Sequence, residues 1–145
     1  SEMCIRDRYR LPSSEDADQR NTFRLAKELL DNNILVSIDP TGTASDRVLT
    51  RNLPFYAGSF SSYGINKEKA LSLITINPAK ILGIDDEFGS IEIGKSATLF
   101  ISKGDALDIV SNNVTHAFIS GRNISLETHQ TRLWRRYSNK YSSSQ

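Results

Sequence analysis

Residues 34–39 read ILVSID, and this short apolar run decides how the first half of the chain is interpreted. Its β-branched residues and leucine are typical of a short strand that is well buried. The run stops at Asp39-Pro40, and the polar residues 41–47 follow with the sequence TGTASDR. We therefore predict one buried strand that ends at Asp39.

The residues before this strand have the pattern of a helix. In residues 11–33 a turn and acidic residues come first, and apolar side chains then recur at helical spacing. These side chains are Phe23, Ala26, Leu29 and Leu30. Helix, short turn, buried strand and polar loop is the order expected in a parallel α/β barrel or a doubly wound α/β sheet. In a barrel, catalytic residues lie at the C-terminal ends of strands, which is where Asp39 lies.

Two further helices are predicted after the loop. Residues 51–64 mix aromatic and small side chains, and Asn66 is expected to cap a helix. The buried face of that helix is predicted to contain Ala70, Leu71 and Ile74. Asn77-Pro78 is predicted to break it and to begin another turn, which Gly83 ends.

The hydrophobic period changes after residue 84 and predicts a small β-domain. Phe88, Ile91 and Ile93 alternate with polar residues, and residues 97–101 and 113–125 read as strands. Gly121 is expected to split the second of these into a hairpin with Arg122-Asn123 in the turn. Residues 126–141, LETHQTRLWRRYSNKY, have the pattern of an amphipathic helix.

Composition narrows the classes of function. The 145 residues are 38% hydrophobic and 24% charged with a formal net charge of +1, so we expect no nucleic-acid partner and no membrane partner. Cys4 is the one cysteine, which excludes an intrachain disulfide and a thiolate zinc cluster. Residues 1–9 begin with Ser and lack any helix or strand period, so we expect a non-native or disordered N-terminus.

Three stretches together resemble the C-terminal end of amidohydrolase-superfamily proteins, and most of all the imidazolonepropionase-like branch. They are RNLPFYAGSFSSYGINKEKALSLITINPAKILGI at 51–84, FGSIEIGKSATLFI at 88–101 and VTHAFISGRNI at 114–124. Their order and spacing match that family across residues 11–137, and the ordered set is more specific than any one of them.

The resemblance implies an α/β fold in four parts. Residues 10–83 would form the C-terminal part of a (β/α)8 metal-dependent hydrolase barrel, and residues 84–125 part of a small β-sandwich subdomain. Residues 126–145 would be a helix and a frayed tail, after the non-native residues 1–9. The chain is thus expected to be the C-terminal fragment of a longer enzyme.

The activity that the resemblance implies is hydrolysis of non-peptide carbon–nitrogen bonds, as in cyclic amides and amidines, in a small-molecule substrate. The family uses a divalent metal, Zn or Fe, and leaves room for a homo-oligomer of the full-length protein. Its metal ligands are several histidines and an Asp after the eighth strand, and Asp39 matches that Asp. Such a carboxylate ligates the metal and moves a proton from water to the leaving nitrogen. The fragment alone lacks the histidines, so we expect it to bind no metal and to be inactive.

Other interpretations stay open at each candidate residue. Arg51 and Asn52 could line a substrate pocket at the barrel mouth, or belong to a loop that bonds its own backbone. Asp39 could instead cap a turn, since Asp-Pro often begins one, and Asp46 is the second candidate for its role. His116 and His129 are expected to be a strand residue and a solvated helix residue.

The chain also departs from the family pattern. Ser96 and Thr98 stand where the family usually has acidic residues, and Pro40 follows Asp39 where small or polar residues are more usual. The alternative is therefore a non-catalytic amidohydrolase-fold protein that lost its metal site and acts in binding or as a scaffold. In either case the isolated chain, with its unpaired strand edge and exposed apolar helix faces, is expected to fold poorly or aggregate.

Overall fold

The computed structural model describes residues 18, 20–39 and 49–142. They form five helices, a 3-10 turn and a three-stranded sheet. In chain order these are α1 (Asn21–Asp31), the 3-10 turn (Leu49–Asn52), α2 (Leu53–Ser61), α3 (Lys67–Ser72), α4 (Ile76–Leu82), β1 (Leu99–Ser102), β2 (Val114–Ile119), β3 (Arg122–Asn123) and α5 (His129–Ser142).

The core lies between α1, α2, α3 and the segment 34–39. Phe23, from the predicted apolar face of α1, meets the Phe60 ring edge-on at 5.2 Å and stacks on the Tyr63 ring at 4.5 Å. These aromatic side chains therefore pack between α1 and the C-terminal end of α2. The buried core residues are Ala26, Val36, Ala57, Phe60, Ile65, Ala70, Leu73 and Leu107.

Helix α1 begins at Asn21. Residues 11–17, with the expected turn and most of the acidic residues, lie outside the described residues. The N-cap is Arg20, and its side chain makes no capping hydrogen bond. The Asp18 carboxylate instead accepts from the Arg20 backbone N–H at 2.9 Å and from the Arg24 guanidinium at 3.1 Å.

The predicted strand 34–39 is extended and buried in its middle, but it is not part of the described sheet. Leu35 forms a single-residue β-bridge, and residues 36–39 have no regular assignment. The regular strand therefore stays a prediction, while the predicted burial holds at Val36 and Ser37. Among the described residues, the Ile38 N–H bonds to the Leu73 carbonyl and the Val36 carbonyl accepts from the Asn77 side chain.

The boundary between α3 and α4 also corrects the sequence interpretation. Asn66 caps α3 as predicted, because its side-chain oxygen accepts from the Lys69 backbone N–H at 2.8 Å. Leu73 takes the inward position that was predicted for Leu71, which is exposed. Residues 73–75 form a turn that separates α3 from α4. Pro78 lies inside the first turn of α4, where its missing N–H costs no helical hydrogen bond. Gly83 ends α4 with a left-handed φ of 66°, as expected.

The β-part forms an antiparallel sheet in the order β1-β2-β3. Leu99 pairs with Phe118 and Ile101 with His116, and the register shifts between Ile101 and Ser102. The sandwich subdomain stays a prediction, since the described strands form this one sheet.

The hairpin turn lies at Ser120-Gly121, before the predicted turn residues Arg122-Asn123. Ser120 and Gly121 both have positive φ, at 49° and 77°, which is the geometry that a tight hairpin turn needs. Arg122 and Asn123 are therefore paired in β3, opposite Ile119 and Phe118, and do not form the turn. 

Residues 84–98 form turns and bends rather than the strand that their alternation indicated. Ile91 and Ile93 are exposed, so their alternation with polar residues does not mark a buried face. The Gly94 turn is present, with φ of 94°.

Helix α5 has its predicted amphipathic sequence, but its aromatic side chains are not covered by the described residues. Trp134 is 71% exposed and Tyr137 50%. Among the described residues there is also no helix both long and apolar enough to cross a lipid bilayer.

Candidate functional site

Asp39 is the last described residue of the buried extended segment, and it is half-buried. Val36 and Ser37 just before it are 2% and 5% exposed, which fixes the course of the chain into Asp39. The Ile38 backbone N–H donates to the Leu73 carbonyl at 3.1 Å, so the end of α3 anchors the residue next to Asp39.

A second anchor comes from α4. The side-chain Nδ2 of Asn77 donates to the Val36 carbonyl oxygen at 2.8 Å, and Asn77 is 7% exposed. Backbone groups of alternate residues in an extended chain point to the same edge. Val36 and Ile38 therefore present one edge of the segment to the α3–α4 region, which satisfies the edge as a neighbouring strand would.

Helix α4 is also in close contact with Gly89, which follows it in the chain. Gly89, with φ of 94°, approaches so closely that an added Cβ would lie 2.8 Å from the Ala79 Cβ and 2.9 Å from the Ile76 Cα. Only glycine combines that φ with that approach without strain. The turn at Gly89, helix α4 and the segment that ends at Asp39 thus form one connected support.

Arg51 and Asn52, the predicted substrate-binding residues, lie in the 3-10 turn that leads into α2. Arg51 is exposed and Asn52 is half-buried. Asn52 is the N-cap of α2, yet its side chain makes no capping hydrogen bond. Residues 40–48, which join Asp39 to this turn, lie outside the described residues, so the convergence of the three side chains stays a prediction. Asp46, the second candidate carboxylate, lies in the same gap.

The described donors do not fit a metal site by themselves. In residues 18, 20–39 and 49–142 no group of three or more His, Cys, Asp or Glu could hold a metal ion. His116 lies exposed on β2, where its Nδ1 is 3.1 Å from the Thr115 hydroxyl. His129 begins α5 and contacts the Arg132 guanidinium at 3.3 Å. Asp39 supplies one suitable carboxylate, and a metal site would need ligands from elsewhere in the protein.

The structure also contains a groove of about 510 Å³ that the sequence did not indicate, between α2 and the loop 103–112. Leu107 is buried against Gly58, and the Lys67 ammonium is 2.5 Å from the Asp105 carboxylate. This contact and the Leu107 backbone N–H lower the pKa of Asp105, while Asp105 raises the pKa of Lys67. An exposed pair of this kind contributes little net stability. In this groove Lys67 bonds to Asp105, and the Ser111 hydroxyl bonds to Asp108.

Asn77 is the residue that sequence reasoning missed. Asn-Pro was interpreted as a helix break, because Pro usually ends a helix. A buried amide at the start of a helix needs a partner, and that partner lies 41 positions away at Val36. No local pattern carries such a signal.

Comparison with known proteins shows the class to which this fold belongs. The model of the Amidohydrolase family matches residues 2–124. The chain therefore belongs to the amidohydrolase family. Its α/β fold agrees, because solved amidohydrolase structures align with it.

Individual relatives are similar over part of their length. The chain is 32% identical over 82 residues to a 5′-deoxyadenosine deaminase of Methanobrevibacter smithii, which covers 52% of this chain and 19% of that protein. An amidohydrolase structure from Thermotoga maritima aligns with a TM-score of 0.63 at 27% identity, over 79% of this chain and 30% of that one. A second amidohydrolase structure aligns with a TM-score of 0.55 at 17% identity, over 82% and 31%, and shows the fold alone. The chain thus spans about a fifth to a third of the length of these relatives.

Proposed function

We propose that this chain is the C-terminal part of an amidohydrolase that hydrolyses a non-peptide carbon–nitrogen bond in a small cyclic substrate. The observation that carries the proposal is the family match over residues 2–124 together with a half-buried carboxylate, Asp39, at the end of a buried extended segment. The similarity to a 5′-deoxyadenosine deaminase favours an amino-substituted or amide-containing heterocycle as the substrate class.

In this proposal Asp39 acts on a proton. Water adds its oxygen to the carbon of the C–N bond, and one of its protons passes to the Asp39 carboxylate. Asp39 then gives that proton to the leaving nitrogen, the C–N bond breaks, and ammonia or a ring-opened amine results. A divalent metal, Zn or Fe in the resemblance, would supply Lewis acidity in the whole protein. The described residues supply one carboxylate toward such a site, so no step is assigned to the metal here.

Positions that depart from the family pattern support a structural role rather than lost chemistry. The Thr98 hydroxyl accepts from the Ser120 backbone N–H at 3.1 Å and lies 3.1 Å from the Ser96 hydroxyl. Thr98 therefore bonds to the β2–β3 turn and Ser96 contacts Thr98, and both lie far from Asp39 in the sequence. The imidazolonepropionase-like branch is proposed on the same sequence resemblance.

The test uses the protein expressed from its complete reading frame. Ammonia release is measured on 5′-deoxyadenosine and on a set of aminopurines and aminopyrimidines, and the ring-opened product is measured on a set of cyclic amides. For any compound that turns over, Asp39→Asn is expected to lower kcat by about 10²- to 10⁴-fold while the melting temperature is kept, since a positioned proton acceptor contributes that much. Asp46→Asn is the matched control and is expected to keep the rate.

Each result decides between the candidates. Loss of rate in Asp46→Asn alone would move the role to Asp46. Saturable binding of a compound without turnover in the wild-type protein would replace the hydrolase by a binding protein of the same fold. 

A further inference from the structure

We infer that Asn77 is a positioning residue for Asp39, which holds the segment 34–39 through the Val36 carbonyl. This inference rests on the proposed function of Asp39. It goes beyond that proposal because it assigns a role in the reaction to a buried side chain on a different element.

The geometry that carries the inference is the hydrogen bond between Asn77 of α4 and the segment 34–39. The Asn77 Nδ2 reaches the Val36 carbonyl at 2.8 Å, and both residues are almost fully buried. Water cannot readily replace the amide there, so loss of the donor would leave a buried carbonyl unsatisfied. Val36 is three residues before Asp39, which in an extended chain is about 10 Å along the strand.

A second bond closes the clamp on the same edge. The Ile38 N–H donates to the Leu73 carbonyl at 3.1 Å, directly before Asp39. With Val36 held by Asn77, two alternate residues are fixed, and their directions define the path of the backbone into Asp39. If Asn77 releases Val36, the segment pivots on Ile38 and the carboxylate moves relative to its target. A displacement of about 1 Å at a reacting group can cost about 10²-fold in rate.

Helix α4 is rigid enough to act as the fixed side of this clamp. Gly89 packs against Ile76 and Ala79, on either side of Asn77. Thr75 at the start of α4 bonds back to the Leu71 carbonyl at 2.8 Å through its hydroxyl. The position of Asn77 is thus set by the turn at Gly89 and by the end of α3.

The test compares Asn77→Asp with Asn66→Ala in the protein from the complete reading frame. Asn77→Asp keeps the shape and replaces the donor by an acceptor, while Asn66→Ala removes the α3 cap and has no bond to residues 34–39. The first readout is product formation from the compound that turns over fastest, as separate kcat and KM. The second is amide hydrogen exchange at Ser37, Ile38 and Asp39. If Asn77→Asp does not fold, Asn77→Ser takes its place.

The expected result is a kcat at least about tenfold lower for Asn77→Asp, with KM within about threefold and faster exchange at residues 37–39. Asn66→Ala is expected to lower the melting temperature without either effect. An unchanged kcat in the Asn77 variant, with Asp39→Asn inactive, would overturn the positioning role alone. Full activity of Asp39→Asn, or no turnover by the wild-type protein, would instead overturn the proposed function on which the role depends.

Discussion

The side-chain amide of Asn77 and the backbone carbonyl of Val36 are joined at 2.8 Å across 41 positions of sequence, in the interior of the protein. Asn77→Ala would leave that carbonyl without its donor and is expected to reduce the free energy of unfolding by about 1–3 kcal/mol. Chemical denaturation of the protein from the complete reading frame measures it. Asn66→Ala, the loss of an exposed helix cap, is expected to cost about 1 kcal/mol. A cost below about 0.5 kcal/mol for Asn77→Ala would contradict the assignment of a buried, desolvated bond.

Gly58 lets α2 and the loop 103–112 approach closely. A Cβ at this position would lie 2.1 Å from the Leu107 carbonyl oxygen. Alanine usually stabilises a helix relative to glycine, but here we expect Gly58→Ala to destabilise by about 1–3 kcal/mol or more, because backbone must move. The rate of amide hydrogen exchange at Leu107 should also rise in Gly58→Ala. Gly83→Ala, at an open position with positive φ, is expected to cost about 1–2 kcal/mol without loosening that loop.

The loop 103–112 should loosen in acid. The Asp105 carboxylate is paired with Lys67 and accepts from the Leu107 N–H, and the Ser111 hydroxyl bonds to Asp108. These contacts lower the pKa of both carboxyl groups. A lowered folded-state pKa gives stability that is present above the unfolded value near 3.9 and lost as the pH falls through the lower value.

We therefore expect protection of the Leu107 and Ser111 amides to be constant from about pH 7 to pH 5 and to fall below about pH 4. Amide hydrogen exchange followed by nuclear magnetic resonance measures this protection, after correction for the intrinsic exchange rate at each pH. Asp108→Asn keeps an oxygen acceptor but does not titrate, so it should remove the pH dependence at Ser111. Equal protection at pH 3 and pH 7 would show that the carboxylates do not hold the loop.

Thr98 should tolerate the acidic residue that the family usually has there. Its hydroxyl accepts the Ser120 N–H, and a carboxylate can accept the same bond. Thr98→Asp is expected to change the unfolding free energy by less than about 0.5 kcal/mol, whereas Thr98→Val should cost about 0.5–1.5 kcal/mol. Denaturation curves for the pair measure this. A larger cost for Asp than for Val would contradict the structural role.

The 145-residue chain produced alone is expected to aggregate or to unfold without a sharp transition. Large apolar side chains such as Ile91, Ile93, Val110 and Trp134 are more than two-thirds exposed. Exposed apolar surface of this extent favours association. Sedimentation and a thermal melt check it, and a sharp two-state melt of a monomer would contradict it.

Local pattern was enough for several elements. The apolar spacing of α1, the Asn66 cap, the Gly83 end of α4 and the strands β1 and β2 each depend on neighbours within a few residues, so their sequence signals are strong. The alternation at Ile91 and Ile93 failed because alternation predicts a strand only when another element covers one face. The hairpin turn moved to Ser120-Gly121 because Ser120 adopts positive φ, which few non-glycine residues do.

In the candidate site, one residue could be found from the sequence and the other could not. Asp39 was found from sequence because a buried apolar run that stops at a carboxylate is a local signal, and the family resemblance gave it a role. Asn77 could not be found, because its partner is set by how α4 packs against residues 34–39. The bond between Asn77 and Val36 spans 41 positions and forms only when the chain folds, so no local sequence pattern indicates it. The three ordered sequence stretches thus carried the family resemblance, and long-range packing alone decided which side chain holds the segment that ends at Asp39.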